Sequence, residues 1–241
     1  MPGLTGNVVF VTGGGRGLGA ASCRSLAADG AQVVIGEMQE DLARQCASEV
    51  TSSGGRAEAM KVDVGAEDGV CAALDETARR YGRLDVLINN AGVDVTAPID
   101  ELAVADWDRV IRTNLRGPFL TSRHALRYLG RNGGGHIINV ASTAAKRTWP
   151  NATAYHASKW GLLGLSHALH AELRPKGIKV TAIVAGGMKT PFLLDRFPDI
   201  DVDTLQEPAN VAEVIRFVLS LPAGTVVPEV MVLPMKETSW P

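Results

Sequence analysis

A tyrosine and a lysine four residues apart, in the stretch Tyr155-His-Ala-Ser-Lys159, have the types and spacing that point most directly to chemistry. On a helix, positions i and i+4 share one face, so the phenol and the ammonium are neighbours. A free tyrosine ionises at about pH 10, too high for a base at neutral pH. An ammonium about 4 Å away, at an effective dielectric of about 20, favours the phenolate by roughly 4 kcal/mol, or about three pKa units. The expectation is a tyrosine lowered far enough to give and take a proton. Ser142 lies thirteen residues upstream, at the end of an apolar run.

The second constellation is Thr12-Gly13-Gly14-Gly15-Arg16-Gly17-Leu18-Gly19. Glycines at 13, 17 and 19 allow a sharp turn into a helix and bring backbone N–H groups, with those of Gly15, Arg16 and Leu18, close to a phosphate. The helix N-terminus then adds positive potential for a pyrophosphate. Glycine-rich turns also serve simply as turns, but this one stands at the first strand–helix junction. It lacks the GxxxxGK[ST] pattern, so a nucleoside-triphosphatase has no support. Glu37, eighteen residues after Gly19, ends the second strand. A carboxylate there can accept both hydroxyls of an adenosine ribose; otherwise it is an exposed glutamate opening a helix. It would repel a 2′-phosphate by roughly 4 kcal/mol at about 4 Å and a dielectric of about 20, with Arg16 offsetting part of that. NAD(H) is therefore the preferred cofactor and NADP(H) the alternative. Asp63-Val64 ends the third strand, where Asp63 can accept a hydrogen bond from adenine. Asn89-Asn90-Ala91-Gly92 ends the fourth, where small residues let the chain pass a cofactor closely. Each of these two could also be an ordinary turn.

The elements that must position these residues alternate along the chain. Strands are expected at Asn7–Thr12, Gln32–Ile35, Ala57–Val62, Leu84–Asn89, His136–Ala141, Lys179–Val184 and Thr225–Leu233. Helices are expected at Leu18–Gly30, Asp41–Ser53, Glu67–Tyr81, Asp106–Arg131 (with Pro118 inside it), Thr153–Leu173 and Asn210–Ser220. Apolar strands each followed by a helix describe a parallel sheet covered on both faces. No repeat, low-complexity stretch or composition break divides residues 1–241, so one doubly wound α/β domain is expected. The segment Met188–Pro208, with two internal prolines and no clear period, reads as a lid or loop after the sixth strand.

Composition narrows the classes. The 241 residues are 46% hydrophobic, enough for a real core, and the net charge of −2 provides no global field for nucleic acid or an acidic membrane. Cys23, Cys46 and Cys71 form no CxxC pair, so neither a disulfide framework nor a structural zinc is expected. His156 is read as structural, and His167 and His170 lack the company a metal site needs, so no metal is expected. With no leader-like start and no membrane-length apolar run, a cytoplasmic protein is expected.

Taken in order, TGGGRGLG, DV, NNAG, Asn114, Ser142 and YHASK resemble the short-chain dehydrogenase/reductase family over nearly the whole chain. The resemblance implies a single Rossmann-type doubly wound domain with a seven-stranded parallel sheet. It implies Tyr155 as general acid/base, Ser142 orienting the substrate oxygen, and Lys159 lowering the Tyr155 pKa and binding the nicotinamide ribose. Asn114 would hold a water in a proton relay from Lys159; Gly186 and Thr190 would lie on the nicotinamide side. The chain departs from the family in having Ala185-Gly186 where Pro-Gly is usual, and in lacking an Asp-Gly-Gly ending. A homodimer or homotetramer through Asp106–Arg131 and Thr153–Leu173 is implied too.

Substrate contacts are expected from Val93, Asp94, Thr143, Ala144, Trp149, Met188 and Phe192. The apolar set Phe192, Leu193, Leu194 and Phe197 suits an apolar or amphipathic small molecule, though it could equally close the core or an interface. The leading reading is hydride transfer between NAD(H) and a secondary alcohol or ketone. A 3-oxoacyl-carrier-protein-type reductase using NADPH, with Arg123, Arg127, Arg131 and Arg174 facing an acidic carrier, is the second. A catalytically idle dinucleotide sensor is the third, disfavoured by the intact Ser142, Tyr155, Lys159 and Asn114.

Overall fold

The computed structural model describes residues 3–131 and 133–237; the ends at 1–2 and 238–241, included in the expected domain, lie outside them. Seven strands form: β1 Val8–Thr12, β2 Gln32–Glu37, β3 Arg56–Lys61, β4 Val86–Asn89, β5 Gly135–Val140, β6 Ile178–Ala185 and β7 Glu229–Val232. They lie in the order β3-β2-β1-β4-β5-β6-β7, all parallel. Helices α1 Gly17–Ala28, α2 Glu40–Ser52 and α3 Glu67–Tyr81 connect the first four strands. Then come α4 Val104–Ile111, α5 Gly117–Ala125, α6 Thr153–Leu173, the single turn α7 Pro191–Leu194, and α8 Pro208–Leu219.

The period-two alternation of β1 explains why helices cover both faces. Val9 and Val11 pack into one buried cluster with Leu26, Val50 and Ile215 from α1, α2 and α8. Val8 and Phe10 point the other way, into a cluster with Leu74, Leu120 and Leu173 from α3, α5 and α6. Each buried side chain of this kind contributes about 1.5–3 kcal/mol of burial free energy, enough to tie the layers to the sheet.

Two expectations are corrected. The single helix over Asp106–Arg131 is three pieces: α4, a π-helical turn at Arg112–Arg116, and α5, which ends at Ala125. Pro118 has no N–H, so the Asn114 carbonyl loses its i+4 donor and the ladder widens there. β7 begins at Glu229 instead of Thr225, because Pro228 can accept from Ala182 N–H but cannot donate. The segment 188–208 is a closed excursion whose ends are pinned together. Met188 and Gln206 form a parallel bridge, Lys189 N–H donates to Gln206 O at 2.9 Å, and Gln206 N–H to Gly187 O at 3.1 Å.

Inside the sheet, Thr181 Oγ1 donates to Val227 O, so the 2.8 Å contact between His136 Nε2 and Thr181 Oγ1 needs the proton on Nε2. Burial, helped by Lys179, pushes the His136 pKa down to about 3. Below its unfolded value of about 6.5, the unfolded chain binds a proton that the native chain refuses, so stability falls with pH. Between pH 7 and 5 this group costs about 2 kcal/mol. Urea midpoints at the two pH values should converge in His136→Gln, whose amide can still donate to Thr181; an unchanged pH dependence would assign the loss elsewhere.

Candidate active site

The glycine turn and the NNAG turn are brought together by strand order. β1 and β4 are neighbours, while the chain leaves β1 toward β2 on one side and β4 toward β5 on the other. The crevice at such a switch point lies at the strands' carboxyl ends. Thr12 Oγ1 accepts from Asn90 N–H (3.0 Å) and Ala91 N–H (3.1 Å) and donates to Ile88 O. Asn90 Nδ2 donates to Thr12 O and Gly13 O at 3.0 and 2.8 Å, so the two turns form one unit. Gly13 has φ +62°, and a Cβ there would lie 2.8 Å from Ala91 Cα. A side chain at Gly19 would run into Gly13 O, which is why α1 starts so close beneath the turn. Leu18 itself is buried in the core, leaving only its backbone at the crevice.

At the end of β2, Glu37 is held by three backbone donors. Its Oε1 accepts from Met38 N–H (2.9 Å) and Gln39 N–H (3.2 Å), and its Oε2 from Gly15 N–H at 3.4 Å. Arg16 turns instead toward Asp195, 3.9 Å away in a solvent-exposed pair. Asp63 Oδ1 accepts from Gly65 N–H, and Oδ2 from Arg112 at 2.7 Å. Burial would raise its pKa, but the Arg112 guanidinium and the Gly65 N–H together hold the carboxyl below its usual range. Val64 is buried against Gly117, at the start of α5. Thr190, also buried, stands over Gly17 across the crevice, and Gly186 follows β6 beside Leu233 and Pro234. These residues fit an adenine dinucleotide: open glycine backbone at the pyrophosphate end and an immobilised carboxylate at the ribose end.

Asn114 sits in the π-helical turn and is fully buried. Its Oδ1 accepts from Val93 N–H at 2.8 Å, and its Nδ2 donates to Val93 O (2.8 Å) and Ser158 Oγ (3.0 Å). Ser158 donates in turn to Tyr155 O. Lys159 Nζ donates to Val140 O at 2.9 Å and lies 5.6 Å from the centre of the Tyr155 ring. A Cβ at Gly92 would be 3.5 Å from Asn114 Oδ1 and 3.8 Å from Lys159 Nζ, so the ends of β4 and β5, α6 and the π turn meet at one point. Ser142, at the end of β5, hydrogen-bonds Tyr155 and accepts from Ala144 N–H.

A buried amide network beneath this point was not legible as functional. Asn89 Nδ2 donates to Asn139 Oδ1 (2.8 Å) and Ser122 Oγ, and Thr121 Oγ1 donates to Asn89 Oδ1. Asn139 Nδ2 donates to Ser166 Oγ. It bolts α5 and α6 to the ends of β4 and β5, and with every amide partnered it is a rigid seat. His156, read only as structural, ties the loop after β5 to α6: Trp149 N–H donates to Nε2 (3.1 Å), and Nδ1 therefore donates to Ala144 O.

On the substrate side, the structure brings some expected residues together and sends others away. Ala144, Ala152 and Tyr155 form an apolar cluster against which Phe192 packs, its ring 5.9 Å from that of Tyr155. Val93 faces the same crevice through the backbone held by Asn114. Met188 instead packs on the opposite core, with residues of β6 and α8. Thr143 and Ala144 are buried, the latter completely, so they form the floor and not the open wall. Trp149 stacks edge-on to His156 and is partly exposed. Asp94 is engaged with Arg196, a residue the sequence did not single out.

Residues 7–201 match the family described as short chain dehydrogenase. The chain belongs to this family. It is 38% identical over 229 residues to the cis-4-hydroxycyclohexanecarboxylate dehydrogenase of Sinomonas cyclohexanicum, covering 91% of this chain and 92% of that protein. Identity to the 3beta-hydroxysteroid dehydrogenase 1 of Eggerthella lenta is also 38%, over 81% of this chain and 76% of that one. A metagenomic short-chain oxidoreductase solved in complex with NADP superimposes with a TM-score of 0.86 at 33% identity, covering 96% of this chain and 98% of that one. The protein is thus an NAD(P)-dependent short-chain dehydrogenase acting on CH–OH groups.

In this short-chain dehydrogenase the expected lowering of Tyr155 by Lys159 is not found. Burial dominates and pushes the phenol up to about 12; the hydrogen bond with Ser142 opposes this, Asp94 adds to it, and Arg196 subtracts. Burial also lowers Lys159 to about 8, against the pull of Asp94. An attraction of roughly 4 kcal/mol, at about 4 Å and a dielectric of about 20, does not offset the cost of charging a phenol out of water. In the protein alone Tyr155 is a neutral proton donor across the physiological range. Among the described residues no cluster of three metal-ligating side chains occurs, and no helix is long and apolar enough to cross a membrane.

Proposed function

We propose that this short-chain dehydrogenase interconverts a secondary alcohol and a ketone on an apolar or amphipathic small molecule, with NAD(H) preferred. The observation that carries the reading is the meeting of Ser142, Tyr155, Lys159 and Asn114 beside the joined Thr12 and Asn90 turns. The dinucleotide would lie over Gly13–Gly19, with Glu37 toward the adenosine ribose, Asp63 and Val64 toward adenine, and Thr190 toward the nicotinamide. Bound there, it supplies or takes the hydride.

The chain's own residues handle the proton. In the reductive direction Tyr155 Oη gives its proton to the carbonyl oxygen, and Ser142 Oγ holds that oxygen by a hydrogen bond. The Lys159 ammonium, mostly charged below pH of about 8, stabilises the resulting phenolate. Asn114 fixes the Val93 backbone and, through Ser158, the Tyr155 turn of α6; one lone pair of Oδ1 remains for the relay water. In the oxidative direction the same phenol must first lose its proton, so alkaline pH favours alcohol oxidation.

Support for NAD(H) is the immobilised Glu37 carboxylate and the turning of Arg16 toward Asp195. Support for the substrate class is the partly buried Phe192 ring packed on the Tyr155 cluster, with Ala144 and Ala152 as its buried floor, and the alicyclic and steroid substrates named for the two relatives. NADH and NADPH oxidation should be followed side by side with small, cyclic and polycyclic ketones, diketones and β-ketoacyl thioesters. NADH-led turnover of cyclic or polycyclic ketones is expected. NADPH-led turnover of the thioesters would replace this reading with that of a carrier-type reductase.

A further inference from the structure

One largely buried ion pair at the edge of this site neither gives nor takes the proton in the proposed reaction. Asp94, in the loop after β4, and Arg196, just past α7, pair through Oδ2 and a guanidinium nitrogen; their side chains are 8% and 22% exposed. Asp94 Oδ1 is fixed by Val95 N–H at 2.7 Å. The Arg196 guanidinium donates from Nε to Phe192 O (2.8 Å), stacks over the Phe192 ring at 4.3 Å and lies 5.5 Å from the Phe197 ring. Phe192 in turn packs on the Tyr155–Ala144–Ala152 cluster. A continuous chain of contacts therefore runs from Asp94 through Arg196 and Phe192 to Tyr155.

We propose that the Asp94–Arg196 pair is the specificity-determining element of the pocket, clamping the Phe192 ring over Tyr155 so that the site selects uncharged, ring-bearing alcohols and ketones. The inference rests on the alcohol–ketone reading above and adds the substrate class. α7 is one helical turn of four residues, too short to hold a ring in place by its own hydrogen bonds. Arg196 supplies what the turn lacks, gripping its backbone, covering its ring and anchoring both to a loop 102 residues away in sequence. A large side chain immobilised in this way presents a fixed apolar face, which suits a rigid ring and gives a short acyclic ketone little to pack against.

The charge arrangement sets the second half of the preference. Asp94 cancels Arg196, so the guanidinium is not left open to a substrate anion. An anionic group on a substrate seated against Phe192 therefore finds the neighbouring guanidinium already paired and enters an apolar surround.

The test compares kcat/KM with NADH for cyclohexanone, butanone and 4-oxocyclohexanecarboxylate in wild type, Arg196→Met, Arg196→Lys, Asp94→Asn and the double variant Asp94→Asn with Arg196→Met. The double variant leaves no buried charge unpaired, so it guards against misfolding of the single variants. Arg196→Met should cut the cyclohexanone-to-butanone ratio about tenfold, mainly through KM for the cyclic ketone. The double variant should lose no more than either single one, because the two residues act as a unit, and Arg196→Lys should restore part of the ratio. Wild type should favour cyclohexanone over the carboxylate, and Asp94→Asn should narrow that gap. Amide hydrogen exchange over residues 191–204, read on the same proteins, should quicken when the pair is removed. An unchanged ratio, additive losses, or wild-type preference for the carboxylate would overturn the proposal. If wild type turns over no ketone, the alcohol–ketone reading falls with it; exchange that stays as slow in the variants would separately overturn the clamp.

Discussion

Tyr155→Phe should lower ketone turnover by about 10²–10⁴-fold, the usual worth of a positioned proton donor, while dinucleotide affinity stays close to that of wild type. The substitution removes one oxygen and keeps the ring, so the cluster with Ala144, Ala152 and Phe192 remains packed. What is lost is a buried hydroxyl that carries a firmly held proton and is hydrogen-bonded with Ser142. The glycine turn, Glu37 and Thr190 do not touch the phenol and are left as they were. Steady-state turnover and NADH fluorescence titration on the same preparation separate the two effects. A variant with wild-type turnover would show that the proton comes from another group. One that also lost NADH binding would show that the substitution had disturbed α6 as a whole.

Glu37→Gln should reduce the preference for NADH over NADPH by about 10–100-fold in kcat/KM. The full repulsion between the carboxylate and a 2′-phosphate is roughly 4 kcal/mol at about 4 Å and a dielectric of about 20, which is about a thousandfold. Glu37 is only half-buried, so water and salt screen part of it, and the smaller range follows. Glutamine is the informative replacement because its amide oxygen can still accept from Met38 and Gln39 N–H, leaving the turn after β2 in place. The change removes the charge and keeps the shape, at the loss of the long 3.4 Å bond from Gly15 N–H, which the amide nitrogen cannot accept. An unchanged ratio would mean that the cofactor's 2′ position lies away from Glu37 and that other groups choose between the two dinucleotides.

Local chemistry made much of this legible in the sequence. Alternating short apolar runs and amphipathic segments announced a parallel sheet with helices on both faces, because strands buried on two sides can carry little polar sequence. The glycine turn and Glu37 were readable because steric freedom and charge at a strand end have narrow physical causes. Tyr155 and Lys159 were readable because i and i+4 share a helix face, and α6 spans Thr153–Leu173 as expected. The start of α1 straight out of the glycine turn, expected at Leu18 and found at Gly17, likewise needed nothing beyond its own neighbourhood.

What the tertiary structure decided depends on partners far away in the chain. Whether Lys159 lowers Tyr155 turned on burial, which no spacing reveals; with both groups in the interior, the cost of charge exceeds the attraction counted on a half-exposed helix. The π-helical turn that carries Asn114 inward needed Pro118 together with the packing of Gly117 on Val64. The Asn89–Asn139 seat joins residues fifty positions apart, and the Asp94–Arg196 pair joins residues 102 apart. Met188 and Phe192 look alike in the sequence, yet one packs on the core and the other on Tyr155. Sequence alone determined which groups this short-chain dehydrogenase carries and which local shapes they adopt. Their protonation and their neighbours were decided only when folding removed them from water and set distant strands side by side.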